Sequence, residues 1–264
     1  MRFTVISSPR AEHQLSHQAA MAEGLRAHGV EVALNLGGPV DTEYVACWGW
    51  RIGQKLRAEG RQVLVMERGY LGDRFAWTSL CWNGLNNRGA FPAISDPSRF
   101  NEHFTLQPWK QGGDYVLLMG QVPGDMSLQG RDLSGWYASS TLEALREYRL
   151  PVKFRPHPLA LKKGYKNIPF GATLAEGNLD DSLAGAAVVV TYNSNSGVDA
   201  VIAGVPAVAV DSGSMATDMV SESIGGYFRP DREQWAAELA WKQWRMDEIR
   251  SGAALEHLLA MEIA

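Results

Sequence analysis

Residues 188–208 read VVVTYNSNSGVDAVIAGVPAV, an apolar run that passes through hydroxyl and amide side chains into a second apolar stretch. The residues Ala186–Thr191 predict a buried strand, and Gly197–Ala203 predict a helix that stops at Gly204. A strand, a polar loop and a helix in this order are typical of a βαβ unit with parallel strands. The amides of the first helical turn would suit a phosphate, although Ser and Asn are also favoured there as N-caps without any ligand.

The same alternation of strand and helix patterns occurs in two series along the chain. The first series predicts helices at Glu12–His28 and Ile52–Glu59 and strands at Arg2–Ser7, Val30–Leu36, Tyr44–Trp48 and Gln62–Glu67. The second series predicts a helix at Leu133–Arg146 and strands at Asp114–Gly120, Pro151–Arg155 and Ala207–Val210. We therefore predict an α/β fold of two Rossmann-like lobes with parallel sheets.

Two segments depart from this alternation. Residues 69–112 are rich in Gly, Asn, Pro and aromatic residues without periodicity, which predicts a long functional loop ending in a linker at Pro108–Gly113. Residues 231–264 are predicted to form a C-terminal helical tail with one face made by Trp235, Leu239, Trp241 and Trp244. The predicted organisation is a lobe at 1–110, a lobe at 111–230 and C-terminal helices at 231–264.

The composition favours a folded protein of the cytoplasm. Of the 264 residues, 45% are hydrophobic, which is enough for a full core, and no apolar run approaches the roughly 20 residues needed to span a bilayer. The N-terminus lacks the pattern of a signal peptide, and two cysteines fit a reducing compartment, so we expect a cytoplasmic location. The net charge of −4 gives no general signature of nucleic-acid binding.

Ligands of open parallel sheets bind beyond the carboxyl ends of the strands, so the residues at those points are the candidates. In the second lobe, Pro156 and Pro158 hold His157 at a strand end, which favours a functional role over the structural role that a lone histidine usually has. An ordinary β-turn accounts for Asp125. The candidate ligand-binding residues of this lobe are Gln121, Arg155, His157, Thr191, Asn193, Ser194, Asn195 and Ser196.

Aromatic and charged residues mark the corresponding positions of the first lobe. Trp48 and Trp50 follow a predicted strand, so they either stack on a sugar or base or pack into the core. Glu67 ends an apolar strand, where burial would raise its pKa, or it forms an ion pair with Arg68 or Arg74.

Three of these motifs, in this order, carry a family resemblance. The motifs Gln121-Val-Pro-Gly-Asp125, Arg155-Pro-His157-Pro158 and Thr191-Tyr-Asn-Ser-Asn-Ser196-Gly197 resemble the donor lobe of the capsule-polysaccharide synthesis glycosyltransferases. These are the bacterial Kdo transferases and their relatives, which have a glycosyltransferase-B fold. The resemblance covers residues 114–212, whereas residues 67–89 resemble compact glycosyltransferase-like proteins of bacteriophages instead.

The resemblance implies an enzyme that moves a sugar from a nucleotide-sugar donor, UDP- or CMP-linked, to a hydroxyl acceptor. It implies that the second lobe binds the donor, with Arg155, His157 and the Asn193–Ser196 loop facing the phosphates and Gln121 and Asp125 near the sugar. No Asp-x-Asp metal-binding pattern occurs, so we expect no metal and no cofactor.

The acceptor would then bind the first lobe, at 1–110. The base that deprotonates the acceptor hydroxyl is expected among Glu67, Asp73, His13 and Asp125. The acceptor side chains are expected to be Trp48, Trp50, Arg74 and Arg88. The acceptor is either a glycan or glycolipid, or a 5-hydroxymethylpyrimidine in phage DNA, which would make the reaction a DNA modification requiring base flipping.

Two other function classes stay open, because a fold does not fix a function. A sugar-nucleotide epimerase would turn over its nucleotide sugar without an acceptor. A non-catalytic module that binds nucleotides or glycans would keep its ligand after loss of Glu67 and Asp73.

Overall fold

The computed structural model describes residues 1–6, 12–35 and 37–262, in which strands and helices alternate. The strands are β1 (Arg2–Ile6), β2 (Glu31–Asn35), β3 (Tyr44–Trp48), β4 (Gln62–Arg68), β5 (Thr78–Trp82), β6 (Tyr115–Met119), β7 (Val152–Arg155), β8 (Ala172–Leu174), β9 (Ala186–Thr191), β10 (Ala207–Ala209) and β11 (Gln243–Trp244). The helices are α1 (Glu12–Ala27), α2 (Trp50–Ala58), α3 (Ser98–His103), α4 (Ser134–Tyr148), α5 (Pro158–Lys162), α6 (Leu179–Ala184), α7 (Ser196–Ile202), α8 (Glu233–Ala240), α9 (Met246–Ser251) and α10 (Ala253–Leu259).

The chain divides into two compact units, each built on one sheet. The first unit comprises Met1–Phe104 and Ala236–Ala264, and the second comprises Thr105–Trp235. The fold is α/β with Rossmann-like parallel sheets in both units, as predicted. None of the helices among the described residues is long and apolar enough to cross a membrane.

The first unit contains a six-stranded sheet in the order β11-β5-β4-β3-β1-β2. Strands β4, β3, β1 and β2 are parallel, and β5 and β11 are antiparallel to their neighbours. Successive residues of a strand point to opposite faces, so Val63 and Val65 pack with α2 on one face. Leu64 and Met66 pack on the other face, in a core that also contains residues of α1, α9 and α10.

Residues 69–112 are not the unstructured loop that the sequence predicted. They contain strand β5, helix α3 and a single 3₁₀ turn at Asn86–Arg88. Strand β5 is buried at all five positions, so it has no alternation of apolar and polar residues for a periodicity argument to detect.

The C-terminal segment returns to the first unit. Residues 231–264 contain the helices α8, α9 and α10 as expected, but the short strand β11 interrupts them and pairs with β5. The predicted helical face was therefore wrong for Trp244, which lies in that strand, and for Trp241, which lies in the turn after α8. At Gly24 of α1, a Cβ atom would collide with the carbonyl oxygen of Ile249, so glycine lets α1 and α9 approach closely.

The second unit contains a five-stranded sheet that is parallel throughout, in the order β10-β9-β6-β7-β8. The central strands β6 and β9 are buried at every position, because helices cover both faces of a parallel sheet. One of its cores joins Val116, Phe154 and Val190 of the sheet to Ala144 and Tyr148 of α4. Short elements of this unit that the sequence did not reveal are α5 and β8.

Candidate functional site

The carboxyl ends of four parallel strands meet at one edge of the second unit's sheet. Gln121 follows β6, His157 follows β7, Asn193 follows β9 and Asp211 follows β10. The sequence therefore brings polar side chains from four distant parts of the chain to the edge where α/β proteins bind ligands.

An amide pair joins two of these loops. The Gln121 side-chain amide donates to Oδ1 of Asn193 at 2.8 Å, and the Asn193 backbone N–H donates to Oε1 of Gln121 at 3.0 Å. The Asn193 side-chain amide also donates to the Ser127 carbonyl and to Oδ1 of Asp211, both at 2.8 Å. Both amide residues are buried, so their hydrogen bonds serve to hold the loops in place.

The loop after β9 is a tight turn of hydroxyl groups. The Ser194 N–H donates to Oγ1 of Thr191 at 3.0 Å, and the Ser194 and Ser196 hydroxyls lie 2.6 Å apart. Asn195 directly precedes α7. The two serine hydroxyls are half-buried or buried and belong to one short turn, which makes them a compact set of donors and acceptors.

A cavity of about 440 Å³ opens beside the ends of β6 and β7, within the second unit. Its apolar wall includes Phe154, Tyr165 and Ile168, and its polar wall includes Gln121 and His157. The Tyr137 hydroxyl also lines it and accepts a hydrogen bond from the Gln121 backbone N–H at 2.8 Å. The volume and mixed lining are those of a small-molecule site.

His157 both caps a helix and lines this cavity. Its Nδ1 accepts the backbone N–H of Leu159 at 3.1 Å at the start of α5, and the residue lines the cavity. Arg155 does not line the cavity, and its guanidinium donates to the Gly177 carbonyl at 2.9 Å and to Ser182 Oγ at 3.2 Å. The structure thus brings Gln121 and His157 to the cavity and directs Arg155 toward α6.

Two further charged residues of this unit differ in their surroundings. Asp125 is exposed and caps the 3₁₀ turn Met126–Leu128, accepting the N–H and the hydroxyl of Ser127 at 2.9 and 2.7 Å. Arg131 was not singled out from the sequence, yet it lines the cavity and its guanidinium lies 5.6 Å from the Tyr192 ring centroid. No motif marks Arg131; only its position in the folded loop reveals it.

At the corresponding edge of the first unit, aromatic rings surround an arginine that the sequence analysis considered only as an ion-pair partner. The Arg68 guanidinium lies 5.3 Å from the Trp48 ring centroid and 4.5 Å from that of Phe75. The rings of His13 and His17 lie 5.4 and 4.5 Å from Trp48. No carboxylate pairs with Arg68 within residues 1–6, 12–35 and 37–262, so its N–H donors are available to an anion.

Burial favours the neutral form of His17 within this cluster. Burial is the main cause that lowers the pKa of His17, and the nearby charges of Arg68 and His13 lower it further. Its Nδ1–H donates to the His13 carbonyl, a hydrogen bond that acts in the opposite direction. His13 is exposed on the same helix and can meet a ligand.

The other predicted residues of the first unit are distributed over both edges of its sheet. Glu67 is half-buried at the carboxyl end of β4, and its charge helps to raise the pKa of Cys47 to about 12, although burial of the thiol is the larger cause. Asp73 and Arg74 lie in the loop that follows β4, where Asp73 accepts the N–H of Phe75 at 2.9 Å. Trp50 packs against a core cluster.

Arg88 lies at the opposite edge. It ends the 3₁₀ turn Asn86–Arg88, which follows the antiparallel strand β5, whose end pairs with the beginning of β4. Among the described residues, no group of three His, Cys, Asp or Glu side chains is arranged to hold a metal ion.

Comparison with solved structures finds this fold in two Kdo transferases of Thermosulfurimonas dismutans. The KpsC β-Kdo 2,4-transferase has a TM-score of 0.59 and 16% identity, and 90% of each chain is covered. The KpsC β-Kdo 2,7-transferase has a TM-score of 0.53 and 13% identity, with 97% of this chain and 100% of that chain covered. No protein-family model and no curated protein sequence matches the chain. At these identities the likeness shows a shared glycosyltransferase-B fold.

Proposed function

We propose that the chain is a glycosyltransferase that moves a sugar from a nucleotide-sugar donor to a hydroxyl acceptor. The observation that carries the proposal is the cavity of about 440 Å³ at the carboxyl edge of β6 and β7. A cavity at this edge, in a fold shared with two Kdo transferases, is where a nucleotide sugar would bind.

In this proposal the second unit binds the donor. The aromatic and aliphatic wall of the cavity takes the nucleoside, and His157 and Arg131 face its phosphate groups. The Ser194 and Ser196 hydroxyls, which lie 2.6 Å apart, would donate to the same phosphates. Gln121, Asn193 and Arg155 act by fixing loops, because their hydrogen bonds are made within the unit.

The first unit binds the acceptor and supplies the base. Trp48 offers a ring face to a sugar or a base, and Arg68 would pair with a phosphate or carboxylate of the acceptor. Glu67 takes the proton of the acceptor hydroxyl, while the acceptor oxygen forms a bond to the anomeric carbon of the donor. The bond from that carbon to the donor phosphate breaks, and the nucleotide leaves with the electron pair, stabilised by His157 and Arg131.

Donor binding is tested by thermal unfolding with UDP, CMP, GDP, TDP and their sugar conjugates. A nucleotide at a hundred times its Kd stabilises the unit that binds it by about 2.7 kcal/mol, which raises the unfolding midpoint by several degrees. We expect UDP or CMP to give this shift, and His157→Asn and Arg131→Gln to lower the affinity at least tenfold. Asparagine is a good N-cap, so His157→Asn keeps the start of α5 while it removes the imidazole.

The control for this experiment is Arg26→Gln, an exposed residue on α1 of the first unit. A selective shift that survives in both cavity variants would argue against the donor site. The absence of a shift with every nucleotide would overturn the proposal.

Transfer is then tested with the nucleotide sugar that binds, by mass spectrometry of glycan, glycolipid and hydroxymethylated-DNA acceptors. We expect Glu67→Gln to lower kcat at least a hundredfold while donor binding is unchanged, since a general base contributes about 10²–10⁴-fold. Turnover of the nucleotide sugar without any acceptor would indicate an epimerase, and binding without turnover would indicate a binding module.

A further inference from the structure

One stretch of the second unit has a charge opposite to that of the whole chain. The chain has a net charge of −4, but residues 148–175 contain no Asp or Glu. They contain six basic residues, which are Arg149, Lys153, Arg155, Lys162, Lys163 and Lys166. Such a concentration of one sign on a chain of the other sign marks a surface for a polyanionic partner.

Three of these cations are available to a partner. Lys153 lies over the Tyr115 ring at 3.9 Å, and Arg155 is hydrogen-bonded within the unit. Lys162, Lys163 and Lys166 are exposed, and none of them has an ionic partner among the described residues. Their charges are therefore not neutralised by the folded chain.

The same stretch exposes large apolar side chains. Fourteen such side chains are exposed among the described residues, and six of them lie within residues 158–174, which we name the basic apolar segment. Phe170 is the most exposed of the fourteen, at 86%. The other five are Leu159, Leu161, Tyr165, Ile168 and Leu174.

The local structure keeps these side chains out of the core. Helix α5 has five residues and buries only Ala160, so Leu159 and Leu161 remain on its surface. Strand β8 is the outermost strand of its sheet. A cluster of exposed apolar residues with this density is typical of an interaction site.

We propose that the basic apolar segment docks the protein on an anionic lipid surface. Apolar side chains enter the boundary between headgroups and acyl chains, and lysines contact the lipid phosphates, so the segment combines the two features that such a surface binds. Duplex DNA would contact the lysines but would leave Leu159 and Phe170 in water. A second copy of the chain would place like charges opposite each other.

Docking at this segment has a consequence for the cavity. Tyr165 and Ile168 belong to the segment and also line the cavity of the second unit. The cavity therefore lies beside the lipid surface in the docked state. The docking itself is inferred from charge and exposure alone and does not require the proposed function.

The test is co-sedimentation of the full chain with vesicles of phosphatidylglycerol and phosphatidylcholine, and with vesicles of phosphatidylcholine alone. We expect binding to the anionic vesicles that weakens with salt. Lys162→Glu/Lys163→Glu should lower the partition coefficient roughly 25-fold or more, because each lysine near an anionic surface contributes roughly fivefold. The matched control is Arg26→Glu/Lys55→Glu, which reverses two exposed charges of the first unit and should leave binding unchanged.

The apolar contribution is tested with the two most exposed phenylalanines. Phe170→Ser should weaken vesicle binding roughly tenfold, whereas Phe75→Ser in the first unit should not. Equal binding by wild type and Lys162→Glu/Lys163→Glu would overturn the inference, and so would binding of duplex DNA in a mobility-shift assay without binding of anionic vesicles. The vesicle assay contains neither donor nor acceptor, so its failure is independent of the proposed glycosyltransferase activity.

Discussion

At the scale of single residues, Asn193 shows how one side chain fixes a ligand-binding edge. Its amide contacts Gln121, Ser127 and Asp211, which belong to three different loops. Only a group with both a donor and an acceptor can serve these partners, because two of them are oxygens and one is an N–H. Asparagine at this position is therefore determined by the neighbouring loops.

We expect Asn193→Asp to lower the free energy of unfolding of the second unit by about 2–3 kcal/mol at pH 8. The new carboxylate would replace a donor that faces Asp211 and the Ser127 carbonyl, which leaves like charges in contact and a buried carbonyl without its hydrogen bond. The loss should be smaller at pH 4, because protonation of the new carboxyl removes the repulsion. Urea unfolding at both pH values measures this change in the free energy of unfolding.

The control for this variant is Asn101→Asp, an exposed residue of α3. It should change the free energy of unfolding by less than about 0.5 kcal/mol at either pH. A similar effect in both variants would contradict the role assigned to the Asn193 hydrogen bonds.

Residue positions at the strand ends were predictable from the sequence, whereas the directions of their side chains were not. The rule that loops after parallel strands carry the ligand site selects Gln121, His157 and Asn193 from the sequence alone. Whether such a side chain faces a cavity or a neighbouring loop depends on partners distant in sequence. Arg155 shows this, because its partners Gly177 and Ser182 lie 22 and 27 residues away.

At the scale of elements, the bounds of a strand or helix were predictable where its apolar run has clear ends. The bounds of β3 and β9 were predicted to the residue, since each is an apolar run that ends in a polar or Gly-containing loop. Strands β8 and β11 have only three and two residues, which is too little sequence for periodicity. Such strands form by pairing with a strand that is distant in sequence, as β11 does with β5.

Arg99 connects α3 to the C-terminal elements of the first unit. Its guanidinium donates to both carboxylate oxygens of Glu248 at 2.6 Å and to the carbonyls of Ala240 and Gln243. It also lies 4.4 Å from the Trp244 ring centroid. These contacts use four of the five N–H donors of a buried guanidinium and place an indole ring against one of its faces.

We expect Arg99→Met to lower the free energy of unfolding of the first unit by about 3 kcal/mol. The substitution leaves Glu248 and two carbonyls without their donor, and losing one partner of a buried ion pair costs about 3–5 kcal/mol. The lower value applies because the Glu248 side chain is 25% exposed. Guanidinium unfolding followed by tryptophan fluorescence measures the change.

The matched variant is Arg146→Met, which removes an arginine paired with Glu147 on the surface. This pair is exposed and solvent screens its charges, so the change should be small. If Arg99→Met were no more destabilising than Arg146→Met, the connecting role of Arg99 would be wrong.

At the scale of the whole molecule, the first unit is assembled from two separate parts of the chain. Trp82 of β5 donates its indole N–H to the Leu258 carbonyl at 3.1 Å, and Oε1 of Gln243 accepts the N–H groups of Tyr70 and Leu71. Leu255 and Leu258 are fully buried in the same core as Phe3. No sequence pattern predicts that the C-terminal segment joins the first unit, because the contacts link residues about 170 positions apart.

A chain that ends at Lys242 should lose the folded first unit and keep the second. It lacks β11, α9 and α10, which would leave Trp82 and Phe3 exposed to water. Hydrogen exchange should show protection in β6, β7 and β9 and little protection in β1, β3 and β4. As a control, a chain that ends at Ala260 keeps Leu255 and Leu258 and should behave as wild type. Full protection of β1 in the chain that ends at Lys242 would contradict this assignment.

The return of the C-terminal segment also sets an order of events during translation. The second unit is one continuous stretch, so all of its strands are synthesised before the residues that complete the first core. At about 5–20 residues per second, the nascent Met1–Phe104 would wait about 7–28 seconds with its β5 edge unpaired. The later-encoded unit can thus mature first, while the earlier one keeps apolar residues exposed to water until the C-terminal segment is made.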